Sequence, residues 1–439
     1  MFKDRYGLEV STSSDRAHEH YLDAMDRMLA AEAGVGATLL ASMEADPQFA
    51  LPHAAMARHC QSTGRPSEAR EHAETATRLA AGTTDRERQH VEIIRLLVTG
   101  KPADAFGLLV RHVEQHPRDA LALAPATGVF GLIGFSGRVD REAEQLALLE
   151  PLTAHYGEDW WFQTALGFAL LETGAWERGR QLAERALQQR PGNPHAAHTL
   201  AHALYEAGED ADATSFLEGW LPSSARGSLL HCHIWWHYAL QLMGSGRHDE
   251  AWSAFRSNCL PGTTDSPSIN VFTDSASYLW RSELAGAQRD DDTWRTVREY
   301  YEEQFPRPIV FVDAHAGLAY AALGDTEQLD AATTQLHELG EAGSLPAGTT
   351  AASLTLAYGA FVAGKWGRVI EVLEPLMDEV VRIGGSRAQR DLATNTLLAA
   401  YVNDDRHDEA ALFLHGVGDR RPSRPIAGLR TDSGRGGAG

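Results

Sequence analysis

Two short patterns carry most of the chemistry this chain can do: His198-Thr-Leu-Ala-His202 and His233-Ile-Trp-Trp-His237. On a helix, residues four apart stand one turn above each other. Each pair therefore presents two imidazoles at the spacing that chelates a single metal ion. His195 extends the first face by one further step. Asp274, and Asp313 with His315 in the run Asp313-Ala-His315, add carboxylate and imidazole donors farther along the chain. This set could hold one four- to six-coordinate divalent ion (Zn, Mn or Fe) or a dinuclear pair. Two His and one carboxylate could also form the facial triad of a non-haem iron centre. Without metal, the same groups are candidate general acids and bases, because His alone titrates near neutrality unperturbed.

Around these donors stand candidates for a pocket. Trp161, Trp236 and Trp280 could wall it, Arg281 could hold an anionic group, and Glu206, one turn beyond His202, could orient a ring nitrogen. Glu172 or Asp159 could do the same from one repeat earlier. Nine of the ten Trp fall between Trp160 and Trp294, the same stretch as the paired His. A lone HxxxH in a chain with 20 His is a weak signal. Two of them in neighbouring repeats, followed by a DxH, form a stronger one.

The elements that must position these residues are repeats. A glycine following a helical run, then small or charged residues, then an Ala-containing helix recurs at Gly64, Gly100, Gly137, Gly174, Gly208, Gly246, Gly286, Gly324 and Gly364. A glycine-less version stands at Asp404-Asp405. The spacing is 34 to 40 residues, room for two helices of about a dozen residues and two turns, which is the tetratricopeptide type of helical hairpin. The prediction is an all-α fold: an α-solenoid of about ten such hairpins, wound as a right-handed superhelix in one continuous domain over residues 1–416. First helices should line the concave face and second helices back them. The turn glycine also serves as a ruler. His195, His198 and His202 lie 13, 10 and 6 residues before Gly208; His233 and His237 lie 13 and 9 before Gly246; His315 lies 9 before Gly324; Trp161 lies 13 before Gly174. Asp274 is expected to open the first helix of the intervening repeat, and Pro308-Ile-Val-Phe-Val312 to form a single extended link.

Composition bounds the function. A formal charge of −21 repels phosphate backbones and anionic headgroups, so neither a nucleic acid nor a membrane surface is an expected partner. The start, Met1-Phe-Lys-Asp-Arg-Tyr-Gly, lacks the apolar core of a signal peptide. No run of 18 apolar residues occurs, and the three cysteines, Cys60, Cys232 and Cys259, form no CxxC pair. A cytoplasmic setting with reduced thiols follows as the expectation. Only three of the 39 basic residues are Lys, a bias of GC-rich bacterial coding. Residues 417–439, rich in Arg, Gly, Pro and Ser, read as a disordered basic tail on an acidic body.

In order along the chain stand Trp161-Phe-Gln-Thr-Ala-Leu-Gly-Phe-Ala-Leu-Leu-Glu-Thr-Gly174, His198-Thr-Leu-Ala-His202, His233-Ile-Trp-Trp-His237, Asp274-Ser-Ala-Ser-Tyr-Leu-Trp-Arg281 and Asp313-Ala-His315. With Asp4-Arg-Tyr-Gly7 and Ser11-Thr-Ser13 near the start, this series resembles the tetratricopeptide repeat protein 38 family over about Tyr6 to His415. Two departures stand out: Tyr205 where the family pattern has an acid, with Glu206 next to it, and Asn193-Pro-His195 where it has a Trp. The resemblance implies an α-solenoid and no particular reaction. The reading is a His/Asp/Trp-rich site for a small molecule, hydrolase- or lyase-like, metal-assisted or working by His acid/base chemistry. The alternative is a scaffold that binds a partner protein or peptide in the concave groove. Assembly into a homo-oligomer is left open.

Overall fold

The computed structural model describes residues 2–416 and 425–429. It begins with a small antiparallel hairpin, β1 (Phe2–Lys3) and β2 (Glu9–Val10). The Asp4 carboxylate closes its turn by accepting from Tyr6 N and Leu8 N, both at 2.9 Å. Helices follow: α1 (Asp15–Ala30), α2 (Val35–Ala45), α3 (Ala50–Ser62), α4 (Pro66–Ala80), α5 (Asp85–Val98), α6 (Pro102–Gln115), α7 (Ala120–Leu123), α8 (Arg141–Leu149), α9 (Thr153–Tyr156) and α10 (Trp160–Glu172). The chain continues through α11 (Trp176–Gln189), α12 (Pro194–Ala207), α13 (Asp210–Trp220), α14 (His231–Gly244), α15 (His248–Asn258), α16 (Ser268–Leu284) and α17 (Asp291–Gln304). It ends with α18 (Val310–Ala322), α19 (Thr326–Glu341), α20 (Thr350–Val362), α21 (Trp366–Leu373), α22 (Arg387–Asn403) and α23 (His407–Gly416).

The all-α hairpin architecture follows from the turn chemistry. All nine signature glycines take a positive φ, between +68° and +99°, and Asp405 supplies the same conformation at +55° where glycine is missing. That backbone state ends one helix and starts the return. Eight of the glycines and Asp405 each join two helices, and an unsignalled hairpin, α1/α2, turns at Ala31 (φ +61°) and Gly34 (φ +88°). Gly137 is the exception. A 3-10 turn and bends precede it in place of a first helix, and its Cα presses on Pro346, where a Cβ would come within 2.1 Å of the Pro346 carbonyl. Two other expectations are corrected. Asp274 lies inside α16, not at its start, because that helix begins at Ser268, behind Pro267, nearly two turns earlier. The extended link shrinks to Pro308-Ile309, since α18 starts at Val310.

First and second helices differ as solenoid packing requires. α10 is buried at every position, and α12, α14, α16 and α18 are buried along nearly their whole length, whereas α11 buries only Gly179, Ala183 and Ala186. The expected open concave lining is filled, because the solenoid folds back on itself. Arg141 on α8 donates to the carbonyl of Val381 (2.9 Å) and to Gly385, and Arg382 donates to Gly137 O (2.8 Å). Arg281 on α16 reaches Ala388 O (2.7 Å) at the start of α22, and Tyr205 on α12 donates to Asp391 (2.7 Å). Apolar packing among the described residues falls into three large clusters and two small ones. One joins α1 to α5, a second runs from the β-hairpin to Ala196 at the start of α12, and the third begins at Cys232 and Trp236 on α14 and runs through α23 to Ile426, with the two small clusters around α12 and α13.

The tail expectation divides. Residues 417–424 and 430–439 lie outside the described residues, but 425–429 are docked: Ile426 is buried and Ala427 N donates to Leu284 O (2.9 Å). No described helix is long and apolar enough to cross a membrane. The three cysteines are buried and unbridged. Because Arg141 is 2% exposed and satisfies the carbonyls of Val381 and buried Gly385, Arg141→Ala should destabilise the chain by on the order of 3 kcal/mol in urea denaturation. A loss within about 0.5 kcal/mol, the range of ordinary surface substitutions, would mean that the closure contributes nothing to stability.

Candidate four-histidine metal centre

Helix α12 starts where Asn193 caps it, its side chain accepting from His195 N (3.0 Å) and Ala196 N (3.2 Å) with Pro194 in the first turn, and stops at Gly208. That fixes the rotation that points His198 and His202 at α14. Helix α14 returns His233 and His237. All four imidazoles are buried, and one ligand nitrogen of each lies within 4.8 Å of those of the other three. The ring centroids form a quadrilateral: His198–His202 4.5 Å, His202–His237 4.4 Å, His237–His233 4.8 Å and His233–His198 4.9 Å. The Nε2 atoms of His198 and His202 are 3.0 Å apart. A tetrahedral zinc with Zn–N of 2.0–2.1 Å needs nitrogens roughly 3.3 Å from each other, so this pair stands close to chelating distance.

The surroundings keep the rings neutral and oriented. Burial, then the neighbouring imidazoles, pushes His198 and His202 well below the ordinary imidazole range, so each ring is neutral, with one N–H and one lone pair to offer a metal. The Nδ1 atoms of both are buried without a hydrogen-bond partner. Asp274 of α16, 1% exposed, accepts from His233 Nδ1 through both oxygens (3.0 and 2.9 Å). That bond fixes the tautomer and leaves Nε2 as the free donor, the arrangement in which a carboxylate backs a ligating His. Trp236 stacks on His233 (5.1 Å, 12°), with the Arg281 guanidinium 5.4 Å above the indole. Phe168 of α10 lies along His198 (5.6 Å, 23°) and edge-on to His202 (5.2 Å, 87°). Phe168 escaped the reading of the sequence, although the ruler contains it: it stands six residues before Gly174, in the register of His202.

The remaining candidates divide. His195, though in register with His233, is half-buried and directs Nδ1 at Leu29 O (3.4 Å), tying α12 to α1. His315 accepts no place in the quartet: its Nδ1 donates to Phe311 O (2.7 Å), and burial lowers it to about 4. Asp313 accepts from Tyr301 OH (2.7 Å), and burial raises it to about 6. Trp161 packs with Tyr6, Tyr156 and Phe162 in the N-terminal core. Trp280 donates to Thr396 Oγ1 (2.9 Å) and lines a cavity of about 270 Å³ with Phe361. A second cavity, of about 510 Å³, lies between Trp252 and Tyr278; neither cavity is lined by an imidazole of the quartet.

Residues 170–230 match the tetratricopeptide repeat family. The solved structures similar to this chain include a tetratricopeptide repeat protein from Parabacteroides merdae, 11% identical with a TM-score of 0.38 over 62% of this chain and 98% of that one. They also include a human IFIT1 dimer with PPP-AAAA, 12% identical with a TM-score of 0.43 over 96% of this chain and 95% of that one. The tetratricopeptide-like repeat therefore rests on the family match together with the hairpins themselves.

Glu206 and Glu172 belong to a different constellation, the junction between α12 and α22. There Glu142 and Arg141 of α8, Glu172 of α10, and Tyr205 and Glu206 of α12 face Arg387, Arg390 and Asp391. Burial, with neighbouring carboxylates second, raises Glu172 and Glu206 each to about 8. An unfolded glutamate releases its proton near 4.3, so between that pH and 8 the folded state holds protons that the unfolded state has lost. This contribution to stability is full in acid and declines as pH rises to 8, by up to about 1.4 kcal/mol per unit for each carboxyl. Glu206→Gln should therefore flatten the fall in unfolding free energy between pH 5 and 8. Identical pH slopes for variant and parent in denaturant titrations would refute the assignment.

Proposed function

We propose that this chain is a tetratricopeptide-like binding protein whose quartet of His198, His202, His233 and His237 takes one divalent transition metal. The observation that carries the reading is the convergence of four buried imidazoles to within 4.8 Å. Four protein donors fill a tetrahedral shell, the mark of a structural zinc site, whereas catalytic sites keep a position open for water or substrate. All-nitrogen donors suit zinc or iron better than manganese, which prefers oxygen. The quartet bridges α12, whose Ala196 closes an N-terminal core, and α14, whose Cys232 and Trp236 open the C-terminal one, so a metal there would rivet these halves of the solenoid together. The bound metal would supply folding energy, with His233–Asp274 holding one ligand in the correct tautomer. A partner peptide or protein is then the ligand of the surface. The ordered series of His, Trp and Asp motifs supports placing the chain with the tetratricopeptide repeat protein 38 family, and its three buried, unbridged cysteines support the cytoplasm as its site.

A second reading keeps the small-molecule enzyme. The specific observation in its favour is the His233–Asp274 pair, a carboxylate-backed imidazole of the kind that acts as general base. In that version His198, His202 and His237 assist, with Trp236 and Arg281 shaping access.

Purified without a His-tag from zinc-supplemented cells, the chain should carry close to one metal per molecule by mass spectrometry. His198→Ala/His237→Ala should carry almost none. Metal at a free concentration of 100 times its Kd stabilises a fold by about 2.7 kcal/mol, so a chelator should lower the melting temperature of the parent and leave the double variant unmoved. Sub-stoichiometric metal in both proteins would sink the metal centre.

A further inference from the structure

The described piece of the tail, Pro425–Leu429, is seated on the body in a specific way. Leu429 N donates to Ile426 O (3.2 Å), closing a reverse turn, and Gly428 inside it has φ +79°. Ile426 is buried, 8% exposed, and Leu429 packs at the edge of the C-terminal core. Ala427 N reaches Leu284 O at the end of α16, a carbonyl that the helix itself leaves without a partner. A Cβ on Gly428 would stand 3.1 Å from Val402 Cγ1, so both the backbone conformation and the close approach call for glycine. The body thus reads four features of the segment: two apolar anchors three residues apart, one backbone amide, and one glycine.

The seat is only partly filled. Beside Ala427 runs the cavity of about 270 Å³, walled by Trp280 and Phe361, with Asn403 and the Arg289–Glu283 ion pair (2.7 Å) at its polar edge. The Ala427 methyl leaves that space open. Across Glu283 and Ala287 it adjoins the 510 Å³ cavity, whose rim carries Asp249 and Asp290. A ligand with a larger residue at the Ala427 position, apolar along its body and polar at its tip, would fill this space better than the chain's own segment does.

Resting on the reading of the chain as a binding protein, we propose that the surface formed by the end of α16, α20 and α22 is a peptide-docking site. It accepts a turn-forming segment of pattern apolar–x–Gly–apolar, and residues 425–429 occupy it in cis until a partner peptide of this pattern displaces them. Tethering keeps the cis segment at high effective concentration, so the site is masked and its apparent affinity for a partner is reduced by the fraction of time it is open.

The test uses the full chain and a fluorescein-labelled peptide Ser-Arg-Pro-Ile-Ala-Gly-Leu-Arg-Thr, copied from residues 423–431, read by fluorescence polarisation. Ile426→Asp/Leu429→Asp in the full chain expels the cis segment and should raise peptide affinity about tenfold or more over the parent. In the same assay, a peptide with Tyr at the Ala427 position should bind several-fold tighter, and one with Ala at the Gly428 position should not bind. Equal affinity of parent and variant, binding by neither, or equal binding of the peptide lacking glycine would overturn the proposal. Hydrogen exchange on the unmodified chain gives an independent measure: the Ala427 amide should be protected, and exchange at the free-peptide rate would overturn the cis contact. Metal stoichiometry measured on the same samples separates the two readings, because loading of the histidine quartet does not depend on the docking site.

Discussion

Four imidazoles buried against one another set the terms for the middle of this molecule. A ring that is buried must stay neutral or find a counter-charge, and His198 and His202 have no carboxylate bonded to them, only each other, Phe168 and the rings of α14. Their charged forms are therefore suppressed, and what is left is a cluster of nitrogen lone pairs in a site shielded from water. That is an expensive arrangement for a fold to keep unless something binds the lone pairs. Asp274, the carboxylate that bonds the quartet among the described residues, is committed to His233 Nδ1 and does not compete for a place among the donors.

The architecture serves this cluster from four repeats. α10 supplies Phe168 as a wall, α12 and α14 supply the paired His, and α16 supplies Asp274 and the Arg281 that caps Trp236. Arg281 then continues to the carbonyls of Ala388 and Gln389, so the same side chain that backs the site also fastens the start of α22. The junction around Glu172, Glu206 and Arg390 fastens α22 on its other flank. Closure of the solenoid and shielding of the quartet are thus coupled: opening the α12–α22 junction would also admit water toward α12.

The repeat period and the turn glycines were enough to read the hairpins, because a left-handed residue every 34 to 40 positions is a local signal that survives without knowledge of packing. The pairing of His198/His202 with His233/His237 was equally legible, since both pairs follow the helical period on neighbouring first helices. What the ruler could not give was the superhelical path. Register equivalence grouped His195 with His233 and His315 with His237, but successive repeats rotate. His195 therefore meets α1, and His315 turns back onto its own helix at Phe311. Trp161 and Glu206 were drawn toward the site for their types and spacing, and long-range contacts with Tyr6 and with α22 decide where they sit. The irregular stretch before Gly137 was illegible for the same reason: it exists to meet Pro346, more than 200 residues away.

Whether the four imidazoles hold one metal by nitrogen alone is read most directly by X-ray absorption at the zinc edge of protein purified from zinc-supplemented cells. A first shell of four nitrogen scatterers at about 2.0–2.1 Å, with the distant-ring scattering of imidazole, is the expected result for zinc. A six-coordinate shell dominated by oxygen, or a shell containing sulfur, would contradict it.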